Sequence, residues 1–465
     1  MRKHRAGTAV AMACTLALTS VGLSAAQATS DDGPRSNAVL TWNAYAGEAA
    51  VAACLSPVTN PLHESRMYAI MHLAVHDALQ AIDRTAAPYA FDATVRRASA
   101  RAAVTGAAHT ALTGVLDELA GVLEPSCREA ALRVVDRAYA SMTDGLPDGP
   151  RTERGLDLGE AAADALLALR RSDGSDTPLV VADYPQGDDP GEWRFTPERP
   201  FAFAPGWGEV EPFGLASPNQ FRPRPPYRLQ SRRYARDLNQ VKRLGSDGIS
   251  HPSARNEEQT EIALFWVESS PLAWNRLGRT LAMDHQLDLW DSARLFGLLN
   301  IAMADGYIAS FDTKYDDRFW RPVTAIRRAG HDGNERTQPD RNWSPLMITP
   351  PIPDHDSAHA VEGGAAASVF ESFFGADTRP FEVCSGTVPA GGQCSDAAPV
   401  SRRFDSFRTA ARENAISRVY VGFHFRHAAQ AGMRHGYRIG DWTMDSQLRS
   451  DVGCSPEAAG VSAGN

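Results

Sequence analysis

The sequence lacks three features that would place it at once in a broad class. It has no excess of positive charge, since 47 Lys and Arg face 56 Asp and Glu, which argues against a general nucleic-acid or anionic-membrane binder. Beyond residue 28, no apolar run is long enough to cross a bilayer, so we expect no transmembrane segment in the mature chain. Few stretches alternate with period two, which disfavours a β-sheet protein. If the protein binds an anion, it must therefore do so at a local cluster of positive charge.

The first 28 residues have the pattern of a secretory signal peptide. Arg2, Lys3 and Arg5 form a basic start, a short apolar run follows, and Ala26-Gln27-Ala28 is a small-residue cleavage site. A membrane anchor is the alternative, but the apolar run is short for a span. We therefore expect a secreted, extracellular protein whose mature chain begins near Thr29.

Removal of that signal leaves five of the six cysteines. An exported protein can form disulfides. Cys384 and Cys394 flank a short loop and are the best candidate pair, and Cys54 with Cys127 is the second pair, which leaves Cys454 unpaired. The spacings do not suggest a zinc site.

Composition divides the mature chain into four regions. Residues 29–183 are rich in Ala and Leu with helical periodicity and form an N-terminal helical region. Residues 184–252 form an irregular arm, because ten prolines between residues 184 and 227 exclude regular elements and many aromatic residues argue against a free linker. Helical patterns resume in a C-terminal bundle at 253–450, before a tail at 451–465. The predicted fold class is all-α, built from helix bundles with long irregular loops.

Two helical segments have sequence patterns that predict more than a helix. The segment "MYAIMHLAVHDALQAI" is apolar around nearly its whole circumference, so we expect it to be buried. It carries His72 and His76 four residues apart, which is a possible metal-binding spacing, but the strongly apolar helix around them favours core histidines. The last segment, "FDSFRTAARENAISRVYVGFHFRHAAQAGMRHGYRIGDW", is interpreted as helical throughout.

Three separated stretches carry residues suited to an oxyanion. "DTKYDDRFWRPVTAIRR" contains Lys314 and, after six residues, Arg321 followed by proline. "PPIPDHDSAHA" contains Ser357-Ala358-His359 before a helix, where backbone N–H groups favour anions. "SRVYVGFHFRHA" contains Arg418 and His424, also separated by six. The bland alternative is that Lys314 and Arg321 form surface salt bridges with the neighbouring aspartates.

Taken in order, the three motifs resemble those of the vanadium-dependent haloperoxidase and type 2 phosphatidic acid phosphatase superfamily. The similarity is greatest to its secreted bacterial haloperoxidase-like branch. Flanking segments such as "SPLAWNRLGRTLA" and "NIAMADGYIASFDTKY" share it. The resemblance implies that Lys314, Arg321 and Arg418 hold the equatorial oxygens of vanadate, or of phosphate as its structural analogue.

The resemblance also implies roles for the remaining residues. Ser357 and the amide of Ala358 add hydrogen bonds, and His359 is an acid/base beside the apical oxygen. His424 is the axial vanadium ligand, or the phosphorylated nucleophile in a phosphatase. The implied activity is vanadate-dependent oxidation of halide by hydrogen peroxide, with a small organic acceptor as a further partner. An acid phosphatase and a non-catalytic anion-binding protein are the alternatives, and a homodimer stays open because apolar helix faces suit a core or an interface.

Three positions depart from the family pattern. Asp356 brings a negative charge towards an anion site, and this weakens binding unless the carboxylate is paired. Ala358 stands where glycine is usual, so the loop must shift if the backbone there needs a positive φ. Ala428 stands where an aspartate often orients the last histidine, a task that a carbonyl or another acid must then perform.

Overall fold

Helices account for most of the structure, a computed structural model that describes residues 37–56, 59–375, 380–388, 394 and 399–450. The predicted signal peptide at 1–28, Cys454 and the tail at 451–465 lie outside the described residues. The described residues from Asn37 on belong to one compact unit. The predicted all-α class is confirmed.

The described residues contain thirteen α-helices, two two-stranded antiparallel pairs and short 3-10 turns. The helices are α1 (Ala38–Ala52), α2 (Pro61–Ile82), α3 (Ala100–Glu118), α4 (Pro125–Asp144), α5 (Pro150–Arg170), α6 (Arg232–Leu244), α7 (Glu257–Phe265), α8 (Ser270–Asp284), α9 (Leu289–Asp317), α10 (Pro322–Arg327), α11 (Ala358–Phe374), α12 (Phe407–Tyr420) and α13 (Arg426–Ser446). The strands are β1 (Val180–Val181), β2 (Ala202–Phe203), β3 (Phe381–Cys384) and β4 (Ser401–Phe404).

Helix α2 lies at the centre of the N-terminal helices, as its all-round apolar pattern predicts. His72 and His76 are both fully buried in it. The imidazole of His72 lies 2.7 Å from the Asn43 amide, and that of His76 lies 3.1 Å from the carbonyl of Ala87. Both are therefore core histidines with hydrogen-bonding partners. None of the helices in the described part of the chain is long and apolar enough to span a membrane.

The proline-rich arm is fixed to the C-terminal helices by buried polar contacts. The carboxylate of Asp305, on α9, accepts the backbone N–H groups of Phe213, Gly214 and Leu215 at 2.6, 2.8 and 2.9 Å. The structure differs from the predicted irregular arm at α6, which lies inside it. Helix α6 forms because Ser231 caps its start and because its apolar residues recur at helical spacing.

The last helical segment is two helices rather than one, which corrects the prediction for this stretch. Helix α12 ends at Tyr420 and α13 begins at Arg426, and Gly422 between them has a φ of +88°. Helix α13 then packs closely on α11 through glycine: a Cβ on Gly432 would lie 2.5 Å from the carbonyl oxygen of Ser357. This contact brings the turn that carries His424 against the start of α11.

Both predicted disulfides are present. Cys54 pairs with Cys127 across 73 residues and joins the end of α1 to α4. Cys384 pairs with Cys394 and closes the loop that follows β3.

Candidate oxyanion site

Seven residues predicted from the sequence flank one buried region, which we call the oxyanion pocket: Lys314, Arg321, Ser357, Ala358, His359, Arg418 and His424. Each occupies an end of a helix or a turn between helices. The closest contact within this set is between Arg321, which precedes α10, and His424, which lies between α12 and α13. Their Nη1 and Nε2 atoms are 2.9 Å apart, although 103 residues separate them in the chain.

Arg321 and Arg418 present guanidinium groups that are only partly satisfied. Arg321 donates from Nε to the carbonyl of Ile352 at 2.7 Å and from Nη1 to that of Phe423 at 2.8 Å. Arg418 donates from Nη1 to the carbonyl of Trp266 at 2.9 Å. Nη2 of Arg321 and Nε of Arg418 are buried and have no partner among the described residues. These two N–H groups are thus free to bind an anion.

Ser357 adds a hydroxyl to the same region. It is the N-cap residue of α11, fully buried, and its Oγ makes no hydrogen bond within the described part of the chain. Ala358 is the first residue of α11 and therefore has a right-handed helical backbone, which alanine adopts without strain. The departure from glycine at this position thus requires no shift of the loop.

Lys314 performs a different local task from the arginines. Its Nζ donates to the backbone carbonyls of Pro353 and Asp354 at 3.0 and 3.1 Å, and to that of Asp356. An ammonium has three N–H donors, so Lys314 is fully engaged in shaping the loop before α11. Burial, followed by the repulsion of Arg321, lowers the pKa of Lys314 to about 7. Whether Lys314 contacts an anion directly stays a prediction.

The aspartates around Lys314 bind elsewhere. Arg222, in the proline-rich arm, forms ion pairs with Asp312 at 2.7 Å and Asp316 at 2.5 Å. Asp317 accepts from Nδ1 of His355 at 2.7 Å. The alternative of surface salt bridges for Lys314 and Arg321 is therefore wrong, since both cations are fully buried.

An aspartate that the sequence motifs did not single out orients His424. Nδ1 of His424 lies 3.0 Å from Oδ1 of Asp354, in the loop that Lys314 shapes. When Asp354 is ionised its carboxylate can only accept, so Nδ1 carries the hydrogen and the lone pair of Nε2 faces Nη1 of Arg321. Asp354 thus performs the task of the acid that is missing at Ala428. The sequence places Asp354 in "PPIPDHDSAHA", close to Ser357, but no spacing rule predicts that it contacts His424.

Buried charges decide the protonation of these two groups. Burial, then Arg321 and Lys314, holds the pKa of His424 well below its usual value, so its imidazole is neutral near pH 7. Burial raises the pKa of Asp354 to about 7, although Arg321 and Lys314 favour its ionised form. The pair therefore presents a neutral nitrogen donor beside two guanidinium groups.

Asp356 is paired and does not face the pocket as a free charge. Its carboxylate accepts from Ser310 Oγ at 2.7 Å and from Nδ1 of His435 at 2.8 Å. Burial alone would raise the pKa of Asp356, but the hydrogen bond and charge of His435 hold it below its usual value. Because the carboxylate of Asp356 is paired, its negative charge does not oppose anion binding in the pocket.

His359 occupies a separate wall of the pocket. Its Nε2 lies 3.1 Å from the carbonyl of Glu268 and donates to it, which leaves Nδ1 as an acceptor. Burial and then the charge of Arg418 hold the pKa of His359 well below its usual value. An anion bound beside it would reverse part of this shift and let His359 take up a proton.

The donor set fits a vanadate or phosphate anion. Two guanidinium nitrogens and one hydroxyl are buried without partners among the described residues, and three cations repel one another. Burial lowers the pKa of Arg321 to about 10 and that of Arg418 to about 9. A tetrahedral oxyanion accepts from such donors and offsets their mutual repulsion. The neutral Nε2 of His424 is a suitable ligand for a metal centre at the middle of that anion.

Comparison with known proteins agrees with this fold. Residues 294–450 match the family model described as the VCPO second helical-bundle domain, and this range includes all seven pocket residues. The chain is 24% identical to vanadium chloroperoxidase from Curvularia inaequalis, over 81% of this chain and 76% of the relative.

Solved structures share the overall fold. A bacterial vanadium-dependent iodoperoxidase superposes with a TM-score of 0.71 at 24% identity, covering 91% of this chain and all of the other. A holo-type bacterial vanadium-dependent chloroperoxidase superposes with a TM-score of 0.66 at 18% identity, covering 87% of this chain and 96% of the other. The predicted resemblance to the vanadium haloperoxidase superfamily is confirmed.

Proposed function

We propose that this protein is a vanadate-dependent haloperoxidase, which oxidises halide with hydrogen peroxide. The observation that carries the proposal is the neutral Nε2 of His424, oriented by Asp354 and flanked by Arg321. Vanadate bound in the oxyanion pocket would supply Lewis-acid activation of peroxide towards attack by halide. The relatives named above, all vanadium peroxidases, support this choice over a phosphatase.

The chain's own residues then divide the work of binding and orientation. Nη2 of Arg321, Nε of Arg418 and Oγ of Ser357 would hold the anion's oxygens, because these buried donors have no other partner among the described residues. Lys314 keeps the loop before α11 in place and adds positive charge to the pocket.

His359 is proposed as the acid/base. The overall reaction, H2O2 + X⁻ + H⁺ → HOX + H2O, consumes one proton for each halide oxidised. Nδ1 of His359 is free to take up that proton once a bound anion raises the pKa of the imidazole. A small organic acceptor is proposed to react with the released hypohalous acid, because the residues that bind the anion are fully or almost fully buried.

The test is a parallel assay of the purified mature protein. One arm contains vanadate, hydrogen peroxide and chloride, bromide or iodide; the other contains a phosphomonoester without vanadate. We expect halogenation that requires vanadate and disappears in His424→Ala but not in His285→Ala, since His285 is an exposed residue at the end of α8. Phosphate release without vanadate would support the phosphatase alternative. Inactivity in both arms, with no vanadate binding in a titration, would leave only a non-catalytic anion-binding protein.

Secretion is proposed on the basis of the N-terminal signal pattern. Two disulfides support it, because disulfides persist mainly outside the reducing cytoplasm. N-terminal sequencing of protein recovered from the culture medium should give a start near Thr29. Protein that stays in the cell with Met1 intact would contradict the proposal. Light scattering of the same sample would show whether the protein is a monomer or a homodimer.

A further inference from the structure

Two acids lie deep in the core near the oxyanion pocket, and the proposed mechanism does not use them. Glu362 is on α11, three residues after His359, and Glu64 is on α2; both are fully buried. Neither carboxylate oxygen of Glu362 has a hydrogen-bond partner among the described residues. Glu64 accepts from Ser269 Oγ at 2.5 Å through Oε2, while its Oε1 is likewise without a partner.

Tyr307, on α9, is within electrostatic reach of both acids. Its side chain is almost fully buried, and its hydroxyl makes no hydrogen bond within the described part of the chain. Charge on Glu362 and on Glu64 acts on this hydroxyl, and the Ser270 hydroxyl lies beside it. The carboxyl of Glu362 reaches the α9 backbone next to Tyr307, since its Oε1 lies 2.5 Å from where a Cβ on Gly306 would be.

The same group of residues borders the oxyanion pocket. Tyr307 packs in one apolar cluster with Ile352 and Ala358, and it interacts electrostatically with Arg418. On its other side, Ser269 joins Glu64 to the backbone segment whose Glu268 carbonyl accepts from His359. We call Glu64, Tyr307 and Glu362 the acid–tyrosine cluster.

Few charges face this cluster. Glu362 is perturbed by burial alone, which holds its pKa well above the usual value. Burial, moderated by the hydroxyls of Ser269 and Ser56, raises the pKa of Glu64 to about 7, with Glu268 and Arg276 as the nearby charges. Glu64 therefore holds a proton in about half of the population at pH 7, and burial favours the protonated form of Glu362.

Packing alone does not explain such a cluster, because a buried polar group without a partner destabilises the fold and is rare in native proteins. Buried water commonly bridges groups of this kind and allows protons to pass between them. The proposed reaction consumes one proton per turnover in a buried pocket. A cluster of buried proton donors beside that pocket meets this demand.

We propose that the acid–tyrosine cluster is a proton store and relay for the oxyanion pocket, with Tyr307 as the group that delivers the proton. In one turnover His359 gives its proton to the peroxide oxygen that leaves as water, and the Tyr307 O–H bond breaks as its proton passes to Nδ1 of His359. Glu362 gives its carboxyl proton to the tyrosine oxygen, and Glu64 restores Glu362 after taking a proton from solvent. One proton thus enters from solvent, and no group in the chain is oxidised or reduced. The proposal rests on the haloperoxidase function above.

The first test uses the vanadate-loaded enzyme and three variants. We expect Tyr307→Phe to lower kcat about 10- to 100-fold, within the range of general-acid effects, with vanadate affinity changed less than about threefold. Glu362→Gln should lower kcat about tenfold and shift the acid limb of its pH profile, because an amide cannot give up a proton. Tyr315→Phe is the matched control: it is two turns along α9, where its hydroxyl bonds the Phe203 carbonyl at 2.6 Å, and kcat should not change.

Three outcomes are decisive for the relay. An unchanged kcat and pH profile in both Tyr307→Phe and Glu362→Gln would overturn it. Equal losses in Tyr307→Phe and Tyr315→Phe would also overturn it, since that pattern reflects general damage to α9. A larger solvent deuterium isotope effect on kcat in Glu362→Gln than in the parent would support it, because a structural defect alone does not make proton transfer slower than the other steps.

A second measurement needs no activity, so failure of the relay can be separated from failure of the haloperoxidase proposal. Infrared spectroscopy of the vanadate-free protein at neutral pH should show the carbonyl stretch of a buried protonated carboxylic acid. That band should lose intensity in Glu362→Gln. An identical band in parent and variant would show that Glu362 holds no proton and would overturn the store, whatever the activity assays give.

Discussion

Replacing Asp354 with asparagine tests how the pocket prepares His424 for a metal centre. The substitution keeps the size of the side chain and the backbone carbonyl that Lys314 binds, but it removes the carboxylate 3.0 Å from Nδ1 of His424. A hydrogen bond to a charged group contributes about 1.5–3 kcal/mol, and each ~1.4 kcal/mol is a tenfold change in affinity. Vanadate affinity should therefore fall about 10- to 100-fold, as is usual when a partner of a ligating histidine is lost.

Phosphate provides the contrast that isolates this effect. Phosphate needs the cationic donors but forms no bond to a resting imidazole, and Asp354→Asn removes a negative charge near three cations. Its affinity should thus stay constant or rise while that of vanadate falls. Isothermal titration of both anions about one pH unit above the pKa of Asp354, which is about 7, measures this difference. The matched control is Asp317→Asn, which breaks the 2.7 Å pair with His355 outside the anion-binding set and should leave both affinities unchanged.

Either of two results would refute this account of Asp354. Unchanged vanadate affinity in Asp354→Asn would show that the carboxylate does not support His424. A parallel loss for vanadate and phosphate would show that the substitution damages the pocket as a whole.

Four further predictions concern the pocket and the fold. Ser357→Ala should leave the free energy of unfolding of the anion-free protein unchanged or slightly higher, because Oγ has no partner in the described residues. The same variant should bind vanadate about 3- to 10-fold more weakly in a titration. A loss of stability with normal vanadate affinity would contradict this prediction. The pKa of Lys314 is about 7 before an anion binds and must rise when one does, so anion binding should take up protons. Anion affinity should therefore fall by up to about tenfold per pH unit as the pH rises above 7. Titrations in buffers of different ionisation enthalpy will measure this proton uptake. In the same titrations, Arg321→Lys should bind vanadate about tenfold more weakly than the parent protein, because an ammonium lacks the planar fork of the guanidinium. The number of protons taken up on binding should not change. Removing the Cys54–Cys127 disulfide, which closes a loop of 73 residues, should lower the free energy of unfolding by about 4 kcal/mol in urea denaturation, and an unchanged midpoint would refute the entropic reasoning.

Much of the site was predictable because its signals are local. The spacing of Lys314 and Arg321 places them at the end of α9 and at the proline that begins α10, and Ser357 precedes α11 as the sequence indicates. The all-α class follows from helical periodicity, and both disulfide pairs follow from cysteine positions. The break at Gly422 was missed because the apolar pattern continues through it, while its positive φ depends on a close approach to the backbone at Gly245.

The partners of the buried polar groups could be decided only by tertiary structure. Asp356 is paired with His435, which lies 79 residues away on α13, and Asp354 replaces a carboxylate that the sequence lacks at Ala428. Residue types and spacing were enough to predict an oxyanion pocket and the cations that line it. The packing of distant helices determined which acids are neutralised, which nitrogen of His424 carries the hydrogen, and which carboxyls stay buried without a counter-charge. The physical reason is that a helix fixes its own residues by local geometry, whereas a buried charge takes its protonation from whatever groups the rest of the chain brings to it.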